Sequence, residues 1–226
     1  MASLMVAMAG FVGGHFLLSH PSVRAQLVSA MGEKAFLAVY SVISVVFLAW
    51  AVAAYRGAPL VFVFDLGPFG HRLPLVIMPA ALMLAVAGLT TRSATAVGGE
   101  KLLAASATPG GIFTITRHPF LWGTGLWALA HLAANGDASS IVFFGGMAVL
   151  SFGGMMAIDH KRSVSADDAW RTYSSRTSLL PFGAALGGRI RVDWRGIGWI
   201  RVAVAIALYF AIAHGHRWLF GVQAFG

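Results

Sequence analysis

"IVFFGGMAVLSFGGMMAI" (Ile141–Ile158) contains no charged residue and is followed at once by Asp159-His160-Lys161-Arg162. A helix needs roughly 20 apolar residues to cross the hydrocarbon of a bilayer, so this stretch reads as a membrane span. The sudden switch to charge reads as its exit at a lipid–water boundary, where Lys161 and Arg162 can snorkel. Gly146, Gly153 and Gly154 fall on one stripe of this helix. They predict close helix packing and not a phosphate loop, because no strand precedes them.

Five further stretches share this character: Ala2–Leu18, Phe36–Ala54, Leu73–Thr91, Phe120–Ala134 and Gly198–Ala213. Of the 226 residues, 58% are hydrophobic and only 11% are charged, and the mean hydropathy is +0.77. An ordinary soluble domain carries about 25% charged residues. The expected fold is therefore all-α, a polytopic transmembrane helical bundle of about six spans forming one integral-membrane domain over 1–226. The chain has no cysteine, which excludes disulfides, thiolate metal sites and thiol nucleophiles. "MASLMVAMAGFVGGHFLL" lacks a basic leader and a small-residue cleavage site, so it reads as a retained first helix. His20-Pro21 should end that helix and open a short interfacial one toward Lys34. Gly57-Ala58-Pro59, Gly67-Pro68, Gly98-Gly99, Pro109-Gly110-Gly111 and Gly187-Gly188 mark the loops.

The formal charge is +8. In a chain this apolar, basic residues serve topology and lipid head groups, which argues against nucleic acid as a partner. With six spans, twelve lysines and arginines fall in the odd loops, and only Arg56, Arg72 and Arg217 fall on the other side. The positive-inside rule then puts the odd loops in the cytoplasm and both termini outside.

Candidate chemistry gathers in "TRHPFLWGTGLWALAHLAANGD" (Thr116–Asp137). Thr124, His131 and Asn135 are spaced i, i+7 and i+11, on one helical stripe with Trp127 between them. Ionisable groups inside a span usually face the bundle interior, so the stripe reads as a lined cavity more readily than as one structural hydrogen bond. A second imidazole, His15, follows Gly13-Gly14 in the first span. It suits either a tight helix crossing or the same interior. Neutral imidazole ligates iron, and a glycine wall suits a flat macrocycle, so haem and plain packing both stay open. At the start of the fourth helix, Arg117 forks onto carboxylate or phosphate, and His118 suits an anion better than a metal. The basic, aromatic segment holding Lys161, Arg162, Trp170, Tyr173 and Arg176 either anchors at the boundary or holds an anionic cofactor. His214 and His216 stand at the outer end of the last span, and His20, His71 and His160 read as loop residues.

"EKLLAASATPGGIFTITRHPFLWGTGLWALAHLAANGD", with "FFGGMAVLSFGGMMAIDHKR" and "TSLLPF", resembles the NnrU family of bacterial membrane proteins, and the likeness runs from His15 to "HRWLFG". That resemblance implies a bacterial inner-membrane protein, whose outside termini would then be periplasmic by the charge count above, linked by family name and gene context to nitrite and nitric oxide reduction (denitrification). The family is similar to the plant 15-cis-zeta-carotene isomerase, a membrane haem-b enzyme. The likeness implies haem b ligated by His15, in "GGHFLLSH", and His131, in "LWALAH". It further implies a redox-gated isomerase acting on an isoprenoid or lipid. On that reading Arg117 and His118 take a propionate or a substrate head group. Thr124, Trp127 and Asn135 shape the cavity, and Lys161 and Arg162 border it. The cysteine implicated near that enzyme's haem is absent.

The Arg-His-Pro motif also resembles isoprenylcysteine carboxyl methyltransferases and phospholipid methyltransferases, which implies S-adenosylmethionine as an alternative cofactor. Their later glutamate pair is missing from "DHKRSVSADDAWRTY", where Asp159, Asp167 and Asp168 stand at other spacings. A third reading is a non-enzymatic accessory protein for a reductase subunit. The spans also place His131 about 18 Å, and His15 about 6 Å, from the cytoplasmic side at 1.5 Å per residue. One iron between them requires a steeply tilted macrocycle. His131 with His214 or His216, and His15 with His118, are the depth-matched alternatives.

Overall fold

The computed structural model describes residues 1–92, 108–164 and 168–224. Gly98-Gly99, Lys101 and Asp167 lie outside the described residues. The helices are α1 (Ala2–Ser19), α2 (Pro21–Met31), α3 (Glu33–Arg56), α4 (Gly67–Thr90), α5 (Pro119–Ala134), α6 (Ala138–Val164), α7 (Asp168–Arg176), α8 (Gly183–Leu186), α9 (Trp194–Ile197) and α10 (Trp199–Phe220). Among the described residues there is no strand beyond an isolated bridge between Phe62 and Asp137. Helix is the expected outcome, since lipid offers no partner to a backbone N–H or C=O. Five helices (α1, α3, α4, α6 and α10) are long and apolar enough to cross a membrane. The protein is a multi-pass, all-α membrane protein. The expected fourth span, α5, is the shortest of the six, with 16 residues, about 24 Å of helix. The third and fifth spans run longer than their apolar cores, because the helices continue through polar ends at Gly67 and at Val164.

The chain forms two compact units, one from residues 1–73 and 128–154, the other from 74–127 and 155–226. In the first, Leu4, Ala7, Met8 and Phe11 are the buried side of α1, a stripe at i, i+3, i+4 and i+7. His20 turns extended ahead of Pro21, and the short helix expected there is α2. α1 then packs antiparallel to α3. Trp50 Nε1 donates to Ser3 Oγ at 2.9 Å, a side chain at Gly10 would strike the Phe47 ring, and the His15 ring meets the Tyr40 ring at 5.4 Å. On α6, Gly146 receives Met8 and Val12, and Gly153 receives Phe16. These two glycines do mark helix packing. Gly13 and Gly14 do not, for nothing lies within 4 Å of where their side chains would be.

The "ANGD" turn between α5 and α6 is a pair of caps. Asn135 Nδ2 donates to the His131 carbonyl at 2.8 Å. The Gly136 carbonyl accepts from Val63 N and Phe64 N at 2.9 and 3.0 Å, and Phe64 leaves no space there for a side chain. Asp137 caps α6 by accepting from Ser140 N at 3.0 Å, Ser140 Oγ at 2.6 Å and Ser139 Oγ. Burial pushes the Asp137 carboxyl up, but the bonds from Ser139 and Ser140 outweigh it and hold the group below its usual range.

In the second unit, α4 and α5 touch backbone to backbone. A side chain at Gly123 would stand 2.6 Å from Ala81 O and 2.8 Å from Ala85 N, and one at Gly88 would stand 2.6 Å from Phe120 N. Pro79 inside α4 has no N–H for the Leu75 carbonyl, and Tyr209 Oη of α10 donates to that carbonyl at 3.1 Å. Arg201 closes the end of α4, with Nε on Thr90 Oγ1 at 2.9 Å and a terminal nitrogen on Thr90 O at 3.2 Å. Beyond it, Leu84, Ala87, Ile112, Phe113, Ile115 and Ile197 form a small core. Asp193 fastens this core by accepting from Gly111 N at 2.8 Å and Gly196 N at 2.9 Å. Those two bonds hold its carboxyl below the usual range.

Gly123→Ala is expected to cost about 1–3 kcal/mol, because backbone atoms cannot yield to the new methyl. Gly13→Ala should stay within about 0.5 kcal/mol, and thermal unfolding in detergent compares the two. Asp193, with its lowered pKa, contributes stability that is full above the ordinary carboxylate range and is lost as pH falls through the depressed value. An acid titration of unfolding should therefore have a shallower acid limb in Asp193→Asn.

Candidate functional site

Two stretches singled out in the sequence, "TRHP" and "TSLLPF", are bonded together in the second unit. Arg117 N donates to Ser178 O at 2.9 Å, and Phe182 N donates to Ile115 O at 2.8 Å. Thr116 Oγ1 donates to Leu179 O at 2.9 Å, and Trp122 Nε1 reaches the same carbonyl at 2.8 Å. Thr116 and Thr177 are fully buried. Pro119 then opens α5 and fixes the direction in which Arg117 and His118 leave the helix.

Both side chains meet one carboxylate. His118 Nε2 lies 2.7 Å from Asp159 Oδ1, and Arg117 Nε lies 3.2 Å from Asp159 Oδ2. The His118 side chain is 1% exposed. The Arg117 guanidinium also lies over the Trp170 ring, 5.7 Å from its centroid, where a weakly hydrated planar cation is favoured. Trp170 and Tyr173 reach this place because α7 buries the two as an i, i+3 pair. Burial lowers the Arg117 pKa, and Asp159 opposes that shift. Burial drives the Tyr173 hydroxyl pKa far up, against the pull of Arg117. The hydroxyl therefore stays neutral, and it has no hydrogen-bond partner among the described residues. Chemically this is a buried cluster in which Arg117 and His118 are already engaged by Asp159. Lys161 and Arg162 follow Asp159 in the last turns of α6.

In the first unit, His15 continues the buried stripe of α1 one turn past Phe11. Its Nδ1 lies 2.7 Å from the Phe11 carbonyl. A carbonyl can only accept, so the proton is on Nδ1 and the Nε2 lone pair is left over. The ring is held edge-on by Phe11 at 4.6 Å and Tyr40 at 5.4 Å. His131 rests elsewhere, with its ring 5.3 Å from that of Phe144. The helix α6 serves as a ruler: Phe16, beside His15, packs at Gly153, nine residues beyond Phe144. At 1.5 Å per residue that is about 13 Å of rise. The two imidazoles therefore stand at different levels along α6.

The remaining expected residues divide as follows. Thr124 Oγ1 donates to Phe120 O and Leu121 O of its own helix, at 3.2 and 3.1 Å. The Asn135 amide is the cap described above, and Trp127 is half-buried. His214 and His216 each place Nδ1 on a nearby carbonyl, of Phe210 at 2.8 Å and Val222 at 3.0 Å. His118 Nε2 is engaged by Asp159. Among the described residues no group of three or more histidines and carboxylates forms a metal site. Sequence reasoning undervalued Asp159 and missed Thr116 and Trp122. The one signal for them was the joint appearance of the "TRHP" and "TSLLPF" motifs.

The profile of the family described as NnrU protein matches residues 3–224. A chloroplastic 15-cis-zeta-carotene isomerase of Zea mays is 32% identical over 79 residues, which are 35% of this chain and 22% of the relative. The matched part is thus under a quarter of that enzyme's length. No solved structure matches the chain.

Asp159→Asn should lower the unfolding free energy by about 3–5 kcal/mol, because it leaves the buried Arg117 guanidinium uncompensated. Tyr173→Phe removes a hydroxyl with no partner and should stay within about 0.5 kcal/mol. Thermal or denaturant unfolding in detergent separates the two outcomes.

Proposed function

We propose that this chain, which belongs to the NnrU family, carries haem b on His15 and acts within the bilayer on a long apolar isoprenoid or lipid, in isomerase-like fashion. One observation carries the reading. His15 lies on the packed stripe of α1 with Nδ1 on the Phe11 carbonyl, the same carbonyl bond that orients metal-bound histidines and leaves Nε2 to the metal. Open space beside Gly13 and Gly14 gives a flat group access. When bound, the haem supplies a redox-active iron next to an apolar substrate. The protein's own share is to orient the imidazole through Phe11 and to flank it with Tyr40. The likeness to a carotene isomerase supports an extended hydrocarbon as substrate, and we attach the family's association with nitrite and nitric oxide metabolism to this same centre.

We further place the protein in the bacterial inner membrane, with the odd loops cytoplasmic and the termini periplasmic. The twelve-to-three division of basic residues supports this orientation. A methyltransferase using S-adenosylmethionine is disfavoured, since the Arg-His-Pro side chains that would grip the cofactor face Asp159.

Protein purified in detergent from haem-sufficient cells should show a Soret band. His15→Ala should lose the band and keep its thermal unfolding, while His131→Ala should retain most of it. A colourless wild type, or a band that survives His15→Ala, overturns the proposal. A colourless protein that co-purifies with a reductase subunit favours the accessory reading.

A further inference from the structure

The second unit holds a pocket of about 340 Å³ lined by Thr91, Arg92, Thr108, Pro109, Gly110, Gly111, Phe113, Tyr173, Asp193 and Gly196. Two charges of opposite sign stand in its wall. Arg92 brings a guanidinium that cannot lose its charge. Asp193 brings a carboxylate fixed by Gly111 N and Gly196 N and kept ionised by them. Each of its oxygens accepts one backbone N–H and retains capacity for another donor. The rings of Phe113 and Tyr173 complete the wall, and an aromatic face attracts an ammonium group.

The position of the pocket is as informative as its lining. Thr91 and Arg92 follow directly on the end of α4, and Asp193 and Gly196 directly precede α10. Both helices are long and apolar enough to cross a membrane, and Arg201 ties the end of α4 to the start of α10. The pocket therefore lies at the ends of two spans, the level at which lipid head groups reside. Trp194 and Trp199, 64% and 78% exposed, flank the same level, as interfacial tryptophans do.

We propose that this pocket binds the head group of a zwitterionic phospholipid, with the phosphate on Arg92 and the ammonium on Asp193 and the aromatic wall. A site of one sign would take free phosphate or an anionic lipid as readily. The opposed pair selects a ligand that carries both charges, since an anion without an ammonium leaves Asp193 facing like charge. This inference does not rest on haem binding, because every residue it uses lies in the unit that lacks His15.

Calorimetry on the full chain in detergent tests it with three probes: dihexanoyl phosphatidylethanolamine, dihexanoyl phosphatidylglycerol and inorganic phosphate. The ethanolamine lipid should bind at least tenfold tighter than the glycerol lipid. Inorganic phosphate should not compete at equal concentration. Arg92→Gln should weaken binding fivefold or more, and Arg92→Lys should restore part of it, both with unfolding temperatures unchanged. Equal binding of the two lipids, full competition by phosphate, or an unaffected Arg92→Gln overturns the proposal. The result is read without a chromophore, so His15→Ala should leave it as it is, and a failed haem assignment cannot be mistaken for a failed lipid site.

Discussion

Asp159 is the hinge of the second unit's chemistry. One carboxylate answers an arginine and a histidine that a Pro-started helix delivers side by side. Taking three ionisable groups out of water costs several kcal/mol each, and only close mutual pairing offsets it. The backbone bonds between "TRHP" and "TSLLPF" hold Arg117 and His118 where that pairing is possible. In turn they seat Trp170 and Tyr173 against the guanidinium. Remove the carboxylate and the surrounding geometry loses its electrostatic reason.

A second constraint is the rule that no backbone polar group goes unmet in lipid. Several side chains that first look functional serve it. Tyr209 supplies what Pro79 withholds from Leu75, Arg201 closes α4 at Thr90, and Asn135 closes α5 at His131. Thr124 turns its hydroxyl back on its own helix. These contacts explain why polar residues recur in so apolar a chain without each one lining a cavity.

This also bounds what a reader of the sequence can extract. The spans were legible because length and hydropathy alone define them, and so was the short helix after His20-Pro21. Gly146 and Gly153 announced packing by their spacing. The shared stripe of Thr124, His131 and Asn135 was legible as register, but register says which face a residue occupies and not which backbone carbonyl its side chain will meet. Asp159 was hidden for the opposite reason. Its partners lie 41 and 42 positions away, and no local pattern links a carboxylate at the end of one span to an arginine and a histidine before another. The offset between His15 and His131 was visible as a difference in depth.

The division of the chain has a consequence for biosynthesis. Residues 1–73 and 128–154 build one unit, so its first portion leaves the ribosome well before its second exists. Until Gly146 and Gly153 emerge, the faces of Met8, Val12 and Phe16 that they receive have only acyl chains or the insertion machinery for neighbours. Insertion and tertiary docking are therefore separated in time for α1, and a truncated nascent chain would be threaded through the membrane yet unfinished.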